Sequence, residues 1–187
     1  MGEVGLFDKQ AEVYLSARPK YPSECFSMLS NLTPHHSLAW DVGTGNGQAA
    51  IGVAEFCDQV IATDVSEAQV SLSMSDDELV AMFGCEGMVD LVTVATAAHW
   101  FDLPRFYSVV KRLLKPSGII TVWSYMFFTI DNPTPSLELT MKQVFETTLP
   151  YWNNGIRFVL DDYKTLPFSF ESVGLGSEGE PLMLEMK

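Results

Sequence analysis

Cations are scarce in this chain: 11 Lys and Arg stand against 24 Asp and Glu, for a net charge of -13. Binding a phosphate backbone needs clustered Lys and Arg, so nucleic acid is excluded as a general partner. Cysteine is also sparse. Cys25, Cys57 and Cys85 are odd in number and show no C-x-x-C spacing, which points away from a disulfide framework or a zinc site and towards a reducing compartment. His35 and His36 are adjacent in a connecting stretch with no further ligands nearby, so no metal is expected. No apolar run reaches the roughly 18 residues of a membrane span. The start, Met-Gly-Glu-Val-Gly-Leu-Phe-Asp-Lys, has neither a basic region nor an apolar core of signal-peptide length, and Leu6 stands where a myristoylation motif has Ser or Thr. A soluble cytoplasmic protein is expected, with no membrane association and no obligate protein partner. Repeats, low-complexity tracts and linkers are lacking too. With 187 residues, 47% hydrophobic and 19% charged, the chain suits one globular domain.

What is present is organised around Leu38-Ala-Trp-Asp-Val-Gly-Thr-Gly-Asn-Gly-Gln-Ala-Ala-Ile51. Leu38, Ala39, Trp40 and Val42 form a short apolar run such as a buried strand carries. Gly43, Gly45 and Gly47 then let the backbone take positive φ and approach a ligand. From Asn46 onward the chain can turn into helix, whose free N–H groups and positive dipole end face the same space. Dinucleotide folds use G-x-G-x-x-G at such a turn. Here the spacing is G-x-G-x-G, Gln48 stands where the last glycine would fall, and Asp41 lies two residues ahead of Gly43. A carboxylate in that place repels a pyrophosphate and attracts an ammonium group. Val60, Ile61 and Ala62 form a second apolar run leading to Asp64, about 20 residues past the turn, where a Rossmann-like unit places its ribose-binding acid.

On these residues the chain resembles the class I S-adenosylmethionine-dependent methyltransferases, whose first motif reads D-x-G-x-G-x-G, and among them the type 11-like group that includes the trans-aconitate methyltransferases. Tyr14, Arg18, Pro19, Tyr21 and Pro22 match the Y-x-x-x-R-P-x-Y-P element of that group, and His99-Trp100-Phe101 and Leu113-Leu-Lys-Pro-Ser-Gly118 match it again. The resemblance implies a three-layer Rossmann-like α/β fold with a mainly parallel central sheet, and S-adenosylmethionine as cofactor. It implies that Gly43, Gly45 and Gly47 cradle the cofactor and that Asp41 meets the methionyl ammonium. Arg18 would meet the methionyl carboxylate with Tyr14 beside it, Asp64 would hold the ribose hydroxyls, and Val65 and Ala95 would border the same site. Trp100 and Phe101 would face the sulfonium region and the acceptor substrate. Read without the resemblance, Arg18 is equally a solvated arginine at a helix end.

In chain order, Phe7 to Tyr21 reads as a helix closed by Pro19, and Ser23 to Leu32 as a second with Phe26, Leu29 and Leu32 inward. Residues 1–37 thus form cap helices, 38–126 a cofactor-binding core and 127–187 an incomplete C-terminal part of one domain. The strand Leu38 to Val42 is predicted inside the sheet, between Val60 to Thr63 and Val89 to Val94. Capping-box patterns stand at Ser66-x-x-Gln69 and Ser75-x-x-Glu78, the second opening a helix to about Phe83. Only about 24 residues separate Asp64 from Val89. A helix of about 10 residues, a strand of about 5 and their loops do not fit comfortably there, so the third strand of the resembling fold is predicted missing or rudimentary. Asp102 caps a helix through Phe106, Val109, Val110, Leu113 and Leu114; Pro116-Ser-Gly118 ends it, and Ile119 to Tyr125 is the next strand. Ser136 to Leu149 reads as an amphipathic helix and Tyr151 to Gly155 as loop. Arg157 to Leu160 or Pro167 to Phe170 could supply a closing strand, ahead of a glycine- and acid-rich tail from Gly174. Without closing strands, Ile119 to Tyr125 has an unpaired edge.

Methyl transfer from a sulfonium is an in-line displacement that needs mainly proximity and alignment. A base is required only for a protic acceptor. His99, at a strand end with a side chain titrating near neutrality, suits that proton removal, and packing of a helix against the sheet is the other role open to His99 and Trp100. Charge and aromatics at the mouth (Tyr14, Tyr21, Trp100, Phe101, Trp123, Tyr125) predict a small, largely apolar acceptor with at most one carboxylate or hydroxyl, methylated on oxygen. A methyltransferase-like binding or regulatory protein without turnover, and a nicotinamide oxidoreductase, are the alternatives; the glycine spacing counts against the latter.

Overall fold

In the computed structural model, the structure describes residues 20–64, 75–125, 134–161 and 163–170. A four-stranded sheet carries strands β1 (Leu38–Val42), β2 (Gln59–Thr63), β3 (Val89–Ala95) and β4 (Leu114–Trp123), in the order β2-β1-β3-β4 with every pairing parallel. The glycine-turn strand is therefore internal, with the two neighbours expected from the sequence. Parallel strands need crossovers, and these put helices on both faces. α1 (Ser23–Leu32) and α2 (Gln48–Val53) cover one face, where Cys25, Phe26, Leu29 and Val53 pack with Ala39, Leu91 and Ile119. On the other face α3 (Asp76–Met82) and α4 (Leu103–Leu113) bring Val80, Phe83, Val109, Val110 and Leu113 onto Leu38, Trp40 and Val92. Alternation along β1 sorts its residues between these two layers.

Local signals in the sequence account for several boundaries. Ser75 and Glu78 form the reciprocal capping box, with Ser75 N donating to Glu78 Oε2 at 2.7 Å and Glu78 N to Ser75 Oγ at 3.2 Å. Asp102 accepts from Arg105 N at the start of α4. At the bottom of the sheet, away from the glycine turn, the carboxylate of Asp90 is 1% exposed and accepts from the amides of Ser37 and Leu38, each at 2.9 Å, while Lys115 Nζ lies 2.7 Å away. This one side chain ties the starts of β1, β3 and β4 together. Among the described residues, α3 alone stands between Asp64 and β3, in keeping with a missing third strand. No helix among them is long and apolar enough to cross a membrane.

Three boundaries differ from expectation. β4 begins at Leu114 and ends at Trp123, leaving Ser124 and Tyr125 beyond it. Its register jumps from Val89↔Leu114 to Leu91↔Ile119, so Pro116-Ser-Gly118 bulges within the strand start where the sequence suggested a separating turn. Ser117 takes φ 66 there. The candidate strand from Arg157 is instead the short helix α6 (Ile156–Leu160), and 167–170 is irregular. Short apolar runs do not distinguish the two states by periodicity. α5 (Pro135–Thr148) forms as expected, capped by Thr134, yet Leu137, Leu139, Met141 and Val144 are all exposed. β4 pairs with β3 alone among the described strands.

Candidate functional site

In an open parallel sheet, ligands collect beyond the C-terminal ends of the strands, where connections diverge to opposite sides. β1 is that place here, since its crossover leads to β2 on one side while β3 lies on the other. Four chain segments leave the sheet at this end: the glycine turn after β1, Asp64 after β2, Thr96 to Phe101 after β3, and Ser124-Tyr125 after β4.

Gly43, Gly45 and Gly47 all take positive φ (73, 56 and 82). Their surroundings differ. A Cβ on Gly43 would stand 2.5 Å from Ala97 Cβ and 3.4 Å from the Phe101 ring, so this glycine lets the turn press against the β3 exit. At Gly45 and Gly47 nothing lies within 4 Å of that position, so these two face open space. The turn is tied down by Gly43 N and Thr44 N donating to Thr63 O at 2.8 and 3.0 Å, and by Gly45 N donating to Asp64 Oδ2 at 2.6 Å. The two sequence features separated by about 20 residues thus meet directly.

Asp41 lies beneath the turn, 0% exposed, with Oδ1 accepting from the Thr93 hydroxyl at 2.6 Å. Burial pushes its carboxyl up, and the bond from the Thr93 hydroxyl opposes this. Oδ2 has no hydrogen-bond partner among the described residues, and neither do the Thr44 hydroxyl and the Asn46 side-chain nitrogen, both also buried. Buried polar atoms left unpaired are costly, and three around one loop fit a polar ligand seated on it. A ligand with hydroxyls near Asp64 and a cationic end drawn towards Asp41 matches this donor and acceptor set, so the residues present fit S-adenosylmethionine.

At the β3 exit, Ala95 closes the strand and Thr96 takes φ 56, a strained setting for a β-branched residue. It is held by Thr96 N donating to Trp123 O at 2.7 Å and by a 3.1 Å bond between its hydroxyl and that of Tyr21. Tyr21 packs edge-on to Trp123 (5.6 Å) and against Tyr125 (6.1 Å). A 3-10 turn, Ala98–Trp100, then presents His99 half-buried, with Nδ1 3.4 Å from the Tyr163 hydroxyl. Trp100 is 55% exposed. Phe101 instead turns inward, between Gly43 and Phe106, where the rings are 5.0 Å apart. Tyr14, Arg18 and Val65 lie outside the described residues. Thr93, Thr96 and Tyr163 were not singled out from the sequence. Thr93 could have been, as a hydroxyl in an apolar strand at the position that pairs with Asp41.

Residues 40–122 match a methyltransferase-domain family. A Dictyostelium discoideum protein named as a methyltransferase is 33% identical over 175 residues, covering 89% of this chain and 66% of the relative. A Saccharomyces cerevisiae protein named as an S-adenosylmethionine-dependent methyltransferase is 28% identical, covering 60% of this chain and 44% of its own length. The chain thus spans less than two thirds of the length of these curated relatives. Among solved structures, one described as a type II methyltransferase from Anaeromyxobacter dehalogenans superposes with a TM-score of 0.66 at 29% identity, over 85% of this chain and 70% of that one. The D-x-G-x-G-x-G turn against Asp64, the parallel sheet around it and these relatives together place the chain in the class I S-adenosylmethionine-dependent methyltransferase family.

Proposed function

We propose that this chain binds S-adenosylmethionine across the β1 and β2 exits and methylates a small, largely apolar acceptor on oxygen. The observation that carries the reading is the contact of Asp64 with the Gly45 amide, which puts a carboxylate at the rim of the open glycine turn. When bound, the cofactor supplies an electrophilic methyl group on a sulfonium that carries its own leaving group. The protein's part is to bind and align. Gly45 and Gly47 leave room for the cofactor. Asp64 accepts from ribose hydroxyls, and Asp41 with Thr44 and Asn46 favours the ammonium end. Arg18 and Tyr14 would close over the methionyl carboxylate, and Val65 and Ala95 would border the same space. His99 takes the proton of a hydroxyl acceptor, and Trp100 with Phe101 bounds the acceptor side.

Charge and aromatics support the acceptor class. Arg105 is engaged by Asp76 at 2.9 Å, so it is committed away from a polyanionic acceptor. Tyr21, Trp123 and Tyr125 gather at the β3 and β4 exits and offer apolar surface there. Asp64→Ala should therefore weaken S-adenosylmethionine by roughly 10-fold or more, the worth of one charge-assisted hydrogen bond. Titration calorimetry, with circular dichroism to confirm the fold, checks this. Unchanged affinity in a folded variant would remove Asp64 from the site.

A further inference from the structure

Thr93 sits among apolar neighbours in β3, where Leu91, Val92 and Val94 are, like it, 0% exposed. Valine has nearly the same shape and would pack there, so the hydroxyl needs a reason of its own, because a buried one without a partner is costly. Its partner is Asp41. The register sets Asp41 beside Thr93, and alternation along both strands turns the two side chains towards the face that Ala39 and Leu91 share with α1 and α2. There the Thr93 hydroxyl donates to Asp41 Oδ1 at 2.6 Å, the length of a charge-assisted bond.

A hydroxyl has one proton to give, and this one is committed to Oδ1. Asp41 Oδ2 has no hydrogen-bond partner among the described residues, although the side chain is 0% exposed beneath the glycine turn. A carboxylate tied at one oxygen is restrained about its own torsions, so the other oxygen is in place before a ligand arrives. The bond also favours the ionised form of Asp41, against the effect of burial. We propose that Thr93 is a positioning residue for the cofactor: it anchors Asp41 through Oδ1 and thereby reserves Oδ2 for the methionyl ammonium. This rests on the reading of Asp41 as the partner of that ammonium, and Thr93 acts through Asp41, at one remove from the ligand.

Titration calorimetry of the full chain with S-adenosylhomocysteine and with methylthioadenosine, which lacks the methionyl amino and carboxyl groups, tests this without turnover. In Thr93→Val the affinity for S-adenosylhomocysteine should fall roughly 10-fold, the lower worth of a hydrogen bond to a charged group, while that for methylthioadenosine stays within about 2-fold. Thr93→Ser restores the hydroxyl and should bind both ligands as the unaltered protein does. Should the unanchored carboxylate keep Thr93→Val from folding, the double variant Asp41→Asn/Thr93→Val buries no such charge, and its affinity for S-adenosylhomocysteine should match that of Asp41→Asn alone. Equal losses on both ligands, a loss in Thr93→Ser as large as in Thr93→Val, or a double variant weaker than Asp41→Asn would make Thr93 a support of the fold and overturn the proposal. Unaltered binding in Thr93→Val, where Asp41→Asn weakens it, would overturn the proposal alone. Unaltered binding in Asp41→Asn as well would overturn the ammonium reading, and the proposal with it.

Discussion

Replacing Asp90 with alanine is expected to lower the unfolding free energy by about 3 kcal/mol at neutral pH, the low end for breaking a buried ion pair. The low end applies because Lys115 is 27% exposed and can recover water once its partner is gone. The amides of Ser37 and Leu38 lose their acceptor at the same time, the Leu38 amide being buried at the start of β1. Asp90→Asn retains an acceptor oxygen and should cost less. Acid sensitivity provides a second readout. Burial alone raises the Asp90 carboxyl, but Lys115 with the Leu38 and Ser37 amides more than offsets this and holds it below its ordinary 3.8. A depressed folded value means that the stabilisation is complete above the unfolded value, and is lost as pH falls through the folded one. Urea midpoints of the unaltered protein should therefore drop below about pH 4 more steeply than those of Asp90→Ala. Parallel curves for the two proteins, or a loss under about 1 kcal/mol at pH 7, would mean that Asp90 does not tie the strands as its contacts indicate.

Replacing His99 with glutamine is expected to reduce turnover on a hydroxyl acceptor by roughly 10²- to 10⁴-fold, the usual contribution of a positioned general base. Cofactor affinity should hold, because His99 leaves the sheet after β3, whereas the glycine turn and Asp64 leave it after β1 and β2. Glutamine keeps a polar side chain beside Tyr163 and Trp100, whose ring lies 5.2 Å from that of His99, so packing is disturbed little. Steady-state rates with S-adenosylmethionine and a panel of phenols and monocarboxylates separate the possibilities. A carboxylate acceptor arrives without a proton and would show no such loss. An unchanged rate on every acceptor would reduce His99 to a packing residue between the 3-10 turn and α6.

Much of this site was legible because it is local. Leu38 to Val42 is apolar except for Asp41, and the glycines follow at once, so strand and turn declare each other. Asp64 could be placed from its distance to that turn, and Ser75 and Asp102 from capping patterns alone. The contacts that escaped prediction are long-range. Nothing near Tyr163 in the chain indicates that a left-handed turn will carry it to His99, 64 residues away. The start of β4 escaped for a different reason: Pro116-Ser-Gly118 has the composition of a turn, and only pairing with β3 makes it a bulge inside a strand. α5 shows the limit of periodicity, which identified the helix without indicating what its apolar residues face.

Equilibrium dialysis of the intact chain against labelled S-adenosylmethionine tests the central claim most directly, with S-adenosylhomocysteine and a nicotinamide dinucleotide as competitors. Near-stoichiometric retention, displaced by S-adenosylhomocysteine and indifferent to the dinucleotide, is the predicted result. Absence of retention at millimolar cofactor, or displacement by the dinucleotide, would contradict a site built from Gly45, Gly47 and Asp64 for S-adenosylmethionine.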